Sequence, residues 1–274
     1  MTRMAVVVTT YNRPDALERV LSAYLAQEDR DIELLVADDG STDDTRRVVE
    51  RFAGRSAFPV RHLWHEDRGF RAGAIRNRAI AATDADYIVF TDGDCVPLAG
   101  FVASHRALAE PGWFVAGNRM LLSERLTAQV LRQAIALERW SRFDWVRAFL
   151  RRDVNRLAPL WRRGLSDPHG WRRRQPARWE GAKSCNLGVW RSDLVQVNGF
   201  DEAYVGWGLE DSDLVIRLLH AGVRHKSGRF GTPLAHLWHA ENDRGRLEEN
   251  RRQLDALVSS TRVRAATGLD AGVP

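Results

Sequence analysis

Lysine is almost missing. Of the 41 basic residues only Lys183 and Lys226 are lysines, and the rest are arginines. Arginine presents a rigid fork that suits carboxylate and phosphate better than a flexible ammonium does. The net charge of +5 therefore leaves three partner classes open: nucleic acid, anionic membrane or a phosphorylated substrate. Cysteine is scarce as well. Cys95 and Cys185 offer neither a disulfide framework nor a metal-ligand spacing, so a reduced, cytoplasmic setting is expected. No apolar run reaches the roughly 20 residues that span a bilayer. The N-terminus runs straight into a strand-like segment without an h-region or cleavage site, so no signal peptide is expected. No internal repeat is present. With 274 residues, 44% of them hydrophobic, the chain is long enough for one large domain or two small ones, and wholesale disorder is excluded.

What is present begins with buried strands. Met4 to Thr10 is one, broken by Tyr11-Asn12-Arg13-Pro14, where Pro14 suits the first turn of a helix. Leu17, Val20, Leu21, Tyr24 and Leu25 then recur at helical spacing. Ile32 to Ala37 is a second strand ending at Asp38-Asp39-Gly40-Ser41, with Thr42 or Asp43 capping the next helix. Val60 to Trp64 is a weaker third, and Gly69-Phe70-Arg71-Ala72-Gly73 opens a helix through about Ala82. Tyr87 to Thr91 is a fourth strand, ending at Asp92-Gly93-Asp94. This βαβαβαβ order predicts an α/β fold with a mostly parallel, doubly wound sheet and flanking helices. A helix at Phe101 to Leu108 and a strand at Trp113 to Ala116 continue it. Leu126 to Leu150 is helical in pattern. Regular structure then resumes with Ser184 to Trp190 and a helix from about Glu210 to Ala221.

Ligands of open α/β sheets bind beyond the carboxyl ends of the strands. Two acidic pairs are expected at that edge, Asp38-Asp39 and Asp92/Asp94. Either pair alone reads equally well as a solvated turn. Together they make an acidic crevice that repels phosphate unless a cation sits in it, and hard oxygen ligands suit Mg²⁺ or Mn²⁺. Arg13, Arg71 and Arg76 are placed to add phosphate contacts; the plain alternative is three solvated helix residues. Glu210, Asp211 and Asp213 follow Gly206-Trp207-Gly208-Leu209. Acids in a first helical turn are favoured by the macrodipole. They also suit a general base beside an aromatic platform, Trp207, for a sugar's apolar face. His236 and His239 are candidates to join the metal ligands, which would favour Mn²⁺.

From Arg139 to Trp179 the chain is dense in arginine and tryptophan. Four readings stay open for this segment: an interfacial segment on anionic lipid, an acceptor cleft, a single-strand nucleic-acid surface, or a solvated helical hairpin packed through its tryptophans.

These motifs resemble those of bacterial family 2 glycosyltransferases of the A-type fold. The last third is similar to the carboxyl half of β-1,4-galactosyltransferase and chondroitin-polymerase type enzymes. The resemblance covers roughly residues 4–118 and 180–245, outside the Arg/Trp-rich insertion. Val-Val-Val-Thr-Thr-Tyr-Asn-Arg and Val-Ala-Asp-Asp-Gly-Ser-Thr-Asp match the family's nucleotide-binding strands. The resemblance implies that Thr9, Tyr11 and Asp39 hold a uracil, with Tyr11 stacked on the base and Asp39 accepting its imide N–H. Gly-Phe-Arg-Ala-Gly-Ala-Ile-Arg-Asn implicates Arg71 and Arg76 at the ribose and diphosphate. Asp92-Gly93-Asp94 matches the Asp-x-Asp metal motif, with Asp94 as direct ligand and Asp92 on the donor. Trp207-Gly208-Leu209-Glu210-Asp211 resembles the family's Trp-Gly-Gly-Glu-Asp, which makes Asp211 the implied catalytic base; Leu209 replaces the second glycine. His239 matches a late metal-ligand histidine, and His236 a position that is also a ligand in galactosyltransferases, where it is methionine.

The resemblance implies an inverting, metal-dependent transferase. It would move a sugar from a UDP-linked hexose or N-acetylhexosamine, galactose-type favoured, to a hydroxyl of a glycan or lipid-linked acceptor in the synthesis of a cell-surface polysaccharide such as lipopolysaccharide. The implied cofactor is Mn²⁺ or Mg²⁺. The expected setting is cytoplasmic, with peripheral contact on the inner face of the plasma membrane and no nucleic acid. The competing reading is a non-catalytic module for nucleic acid or lipid on a nucleotide-binding scaffold. The expected division is a donor half at 1–118, a helical Arg/Trp-rich insertion at 119–179 and an acceptor half at 180–274, all in one compact domain.

Overall fold

The computed structural model describes residues 2–157, 165, 167, 170–240 and 243–272. Trp161, Arg162 and Arg163 of the Arg/Trp-rich segment lie outside the described residues. The main sheet grows outward from β1 (Met4–Thr10), whose inner residues are fully buried. Val6 and Val8 face one apolar cluster with α1 (Pro14–Leu25) and α2 (Asp43–Ala53). Ala5 and Val7 face another with α3 (Ala72–Ala81). Both faces of the strand are therefore covered, which is why it reads as an unbroken β-branched run rather than an alternating one.

Beside β1 lie β2 (Ile32–Asp38) and β4 (Tyr87–Asp92), and β3 (Val60–Trp64) forms the edge, all parallel. The other flank is formed by β8 (Asn186–Trp190), β6 (Trp113–Ala116) and β9 (Arg224–Ser227), giving the order β3-β2-β1-β4-β8-β6-β9. β8 runs antiparallel to both of its neighbours, while β6 and β9 are parallel to each other. The sheet is thus mostly parallel, as expected. The chain that follows the insertion re-enters it between two strands laid down earlier.

A second, three-stranded sheet has the order β5-β10-β7, from β5 (Cys95–Pro97), β10 (Pro233–His236) and β7 (Asn118–Leu121). Strands of three or four residues carry too little pattern to be read from sequence. This sheet pairs Cys95 with His236 in register and so ties the Asp-Gly-Asp turn to the histidine segment.

α4 (Phe101–Leu108) packs in the first cluster with the small sheet, α7 (Arg191–Gln196) and α8 (Glu210–His220) pack in the second, and α9 (Leu247–Val258) packs on α8. The helical stretch expected over Leu126 to Leu150 is divided. α5 (Glu124–Gln133) starts at Ser123, whose hydroxyl accepts from Leu126 N, and ends at Ala134 in a left-handed conformation. α6 (Arg142–Leu150) begins with a capping box between Ser141 and Asp144. Among the described residues beyond α6, the insertion has turns and a short 3-10 helix at Trp171–Arg173. Several of its side chains are internal. Trp140 and Trp145 pack edge to face at 4.9 Å, and the buried Arg172 donates to the carbonyls of Ser227 and Arg229.

Candidate active site

Strand register brings the acidic residues to one edge. Thr10 is level with Asp38 on β2, and Thr9 with Asp92 on β4. The turn after β4 keeps a glycine because of close packing, with no left-handed backbone at Gly93. A Cβ on Gly93 would lie 2.9 Å from Thr10 Oγ1, and its N–H already donates to Thr9 O at 2.7 Å.

Arg76 is the hub of the site. It is buried, and its fork donates to three oxygens: Thr9 Oγ1 (3.0 Å), Glu210 Oε1 (3.0 Å) and Asp92 Oδ1 (3.2 Å). One side chain from α3 thereby fastens the ends of β1 and β4 to the start of α8. Arg76 was expected to contact phosphate; here its donors serve protein oxygens. Burial pushes the Asp92 carboxyl up, aided by the charges of Asp94 and Asp211 and opposed by Arg76 and Arg119. Burial and the neighbouring Asp211 charge raise Glu210, against Arg76. Glu210, buried in this ion pair, is placed to hold Arg76, whereas Asp211 is half-buried.

Asp211 is oriented by backbone. Its Oδ1 accepts from Ser212 N (2.7 Å) and its Oδ2 from Ser184 N (3.4 Å), just ahead of β8. It sits in the first turn of α8, at the positive end of the helix dipole. The charge of Asp211 reaches both Arg76 and Asp92, so it shares the crevice with the Asp-Gly-Asp turn. Leu209, at the N-cap of α8, has φ 79°, in the left-handed region. A glycine would occupy this position without strain, and the leucine is held there by packing on Ile216, Leu254 and Leu257. Trp207 lies under the Arg244 guanidinium, 5.0 Å from the ring centroid.

Asp94, His236 and His239 converge as expected of a metal site. His239 Nε2 is 3.2 Å and His236 Nε2 3.6 Å from Asp94 Oδ2. His239 Nδ1 donates to Ala240 O at 2.7 Å, which leaves Nε2 as the ligating atom. Burial pushes the His236 imidazole down to about 4, so it is neutral and able to ligate near pH 7. The hydrogen bond to Asp94 raises His239. Burial alone would raise Asp94, but the two histidines hold it low. A carboxylate and imidazoles are donor types that a divalent transition ion such as Mn²⁺ takes; the ligand atoms lying within 4.8 Å of one another here are those of Asp94, Cys95 and His236, with His239 bonded to Asp94 beside them. Arg13 lies close enough for its charge to lower both histidines. It also opens α1 and donates from Nε to Asp15 at 3.1 Å.

On the other side, Asp39 is buried. Its Oδ1 meets His65 Nε2 at 2.6 Å and its Oδ2 accepts the Arg71 N–H at 2.8 Å. Burial raises Asp39, and these two bonds oppose it. His62 meets Asp38 Oδ2 at 2.8 Å. The partners of His62 and His65 follow from the β2–β3 register, which no spacing in the sequence reveals. Tyr11 is 46% exposed, with its hydroxyl donating to Asp67 Oδ2 at 2.9 Å. The Arg71 guanidinium donates to Glu66 O at 3.0 Å.

Two features escaped the sequence reading. Arg119 on β7 lies among Cys185, Cys95, Asp92 and Asp94, whose charges raise it against the effect of burial. The two cysteines, read as unrelated, meet beside the crevice, where their sulfurs and an Asp92 oxygen lie within 4.8 Å of one another. Arg119 and Cys95 come from the β5–β10–β7 sheet and Cys185 from just before β8, a meeting invisible in the linear spacing.

A family model described as glycosyl transferase family 2 matches residues 5–176, and one described as the N-terminal domain of galactosyltransferase matches residues 173–239. The chain is similar to validoxylamine A glucosyltransferase of Streptomyces hygroscopicus subsp. jinggangensis, with 28% identity over 233 residues, covering 80% of this chain and 52% of that one. This chain therefore spans about half the length of that relative. In fold it is similar to the mannosyltransferase PcManGT from Pyrobaculum calidifontis in complex with GDP-Man and Mn²⁺. That likeness has a TM-score of 0.61 at 20% identity and covers 93% of this chain and 62% of that one. It is similar too to S. aureus TarS 1-349 in complex with UDP, with a TM-score of 0.61 at 14% identity, covering 98% and 68%.

Proposed function

Taking as premise that the chain belongs to glycosyl transferase family 2, we propose that it transfers a sugar from a UDP-sugar to a hydroxyl of a glycan or lipid-linked acceptor, with inversion and with help from a divalent ion. One observation carries this reading. Arg76 bonds both Asp92, two residues from the Asp94 that meets the two histidines, and Glu210, the residue before Asp211. Metal-type ligands and a carboxylate base thus share one crevice, which a pure binding module does not require.

Each residue then has a task. Tyr11 offers its ring to the base, and Asp39 stands at the same strand edge to receive its N–H. Asp94, His236 and His239 would hold Mn²⁺, which when bound acts as a Lewis acid toward the diphosphate oxygens. Arg76 keeps Asp92 and Glu210 in place and sets α8 against the crevice. Asp211, fixed by the amides of Ser184 and Ser212, takes the proton of the acceptor hydroxyl as that oxygen attacks the anomeric carbon. The nucleoside diphosphate leaves from the opposite face, so no protein nucleophile takes part. Trp207 borders the acceptor side, once Arg244 moves off its ring.

UDP is favoured over GDP by the resemblance of the Thr9, Tyr11 and Asp39 positions to a uracil site, although a fold neighbour is bound to GDP-Man. The galactose-type donor rests on the match to the galactosyltransferase model. A panel of UDP- and GDP-sugars, each assayed with Mn²⁺ for donor hydrolysis and transfer, tests the proposal. Release of UDP from a UDP-hexose or UDP-N-acetylhexosamine is the expected result. A folded protein that binds no UDP and releases none would overturn it.

A further inference from the structure

The outer face of α6 is apolar where a helix packed on a water-exposed surface is normally polar. Trp145 and Ala148 point into the core. Successive helical residues turn about 100°, which places Phe143, Val146 and Leu150 on the side opposite this pair. Phe143 and Leu150 are each 75% exposed, and Val146 and Phe149 are 42% and 41% exposed. Four large apolar side chains on nine residues form a contiguous stripe, unlike the scattered apolar residues found on most surfaces.

Arginines border this stripe. Arg142 and Arg147 flank it on the helix, and Arg139, Arg151, Arg152 and Arg156 are exposed just before and after it. Of the nearby acids, Asp144 closes the capping box with Ser141 and Asp153 is buried against Arg125, which leaves Glu138 against the six arginines. An apolar ridge in a basic rim matches the interface of an anionic bilayer, where acyl chains lie beneath phosphate headgroups. A second copy of this chain fits poorly, because pairing two such faces would set arginine against arginine.

We propose that α6 is an interfacial helix that docks the protein on an anionic lipid surface, with Phe143, Val146, Phe149 and Leu150 below the headgroups and the arginines on the lipid phosphates. The placement suits the crevice. The chain leaving α6 joins β7 through the Leu122–Val154 bridge and the Asn155 N–H to Leu121 O bond, and Leu121 is level with His236 on β10. The docking face is thus wired to the strand that carries the metal-type histidines. Its use in catalysis rests on the proposed transfer to a lipid-linked acceptor, whereas the docking itself does not.

The test is co-sedimentation of the full chain with vesicles of phosphatidylcholine alone and of phosphatidylcholine mixed with phosphatidylglycerol, without nucleotide sugar. Binding is expected only with the anionic lipid and should weaken as salt rises. The double variant Phe143→Ser/Leu150→Ser should lower the partition coefficient about 10-fold or more. Arg147→Ser/Arg151→Ser should lower it by a similar factor at low salt and weaken the salt dependence by roughly a third, two of six rim arginines being removed. All four side chains are exposed, so circular dichroism and UDP affinity should be unchanged in both variants. Three results would overturn the proposal: no binding of the wild type to anionic vesicles, equal binding by the Phe143/Leu150 variant, or a dimer in sedimentation velocity that this variant dissolves in the absence of any lipid binding. Because the assay contains no donor, failure to dock and failure to transfer sugar are separate outcomes.

Discussion

Asp211 and Glu210 are adjacent carboxylates with different surroundings, and the difference assigns their work. Glu210 is buried against Arg76, while Asp211 is half-buried and held by amides. Asp211→Asn keeps the shape and removes the base. It should lower kcat for transfer by roughly 10²- to 10⁴-fold and leave UDP affinity, measured by calorimetry, unchanged. Arg76→Met acts in the opposite way. It leaves the buried Glu210 and the partly buried Asp92 without their shared cation, and urea denaturation should show a loss of roughly 3 kcal/mol. Leu209 allows a sharper test, because alanine normally suits a chain better than glycine. At a left-handed φ the order inverts. Leu209→Ala and Leu209→Gly both lose the packing on Ile216 and Leu254, but only glycine sheds the strain, so the glycine variant should be the more stable by about 1 kcal/mol. Were alanine the more stable, α8 would start differently from the geometry seen here. The family likeness pointed to Leu209 as a departure; its left-handed backbone explains why a glycine suits that place.

At the scale of elements, the sequence was legible wherever one strand or helix carried its own pattern. β1, β2 and β4 are apolar runs buried on both faces, and α1 and α8 have clear starts, so their spans follow closely from composition. The strands β5, β7 and β10 have three or four residues each and left no signal. Arg119 and the meeting of the two cysteines went unseen with them. The junction of α4, β8 and β6 was equally hidden. There the Asn186 amide donates to the carbonyls of Asn118 and Thr232, so its Oδ1 must accept from His105 Nε2 at 3.0 Å. That bond fixes the tautomer and leaves His105 Nδ1 buried without a partner. Burial pushes this imidazole down to about 4 from 6.5. The unfolded chain therefore takes up the proton first as pH falls. The stability contribution is complete above pH 6.5 and is lost between 6.5 and about 4, up to roughly 3 kcal/mol. His105→Gln keeps a donor for Asn186 and removes the titration, so its denaturation midpoints should vary less with pH across that window. An unchanged pH slope would mean that other groups govern it.

Over the whole molecule, the crevice is assembled from residues that stand far apart in sequence: Thr9, Asp39, Arg76, Asp94, Asp211 and His239. The Arg76–Glu210 bond alone spans 134 positions. Consecutive βαβ units packing side by side account for β1 beside β2 and β2 beside β3, but β4 returns to pair with β1, a step that no strand's own pattern reveals. The insertion of β8 between β4 and β6 could not be read either, because antiparallel re-entry after a long excursion leaves no periodic trace. A site built this way couples to global unfolding, since no single segment can bind the ligand once the sheet has opened. A ligand that binds only the folded chain at about 100 times its dissociation constant adds about 2.7 kcal/mol, which for a domain of this size is roughly 5 °C or more in Tm. With Mn²⁺ at Asp94, His236 and His239 and the diphosphate bound against it, UDP and Mn²⁺ together should raise Tm by more than the sum of their separate effects. EDTA should remove the excess. Asp94→Asn should remove it too while keeping the smaller shift from UDP alone, because Tyr11 and Asp39 are untouched. An equal UDP shift with Mn²⁺ and with EDTA would show that the base is held but the phosphates are not held through an ion, and the task of the Asp94 cluster would then have to be sought elsewhere in the fold.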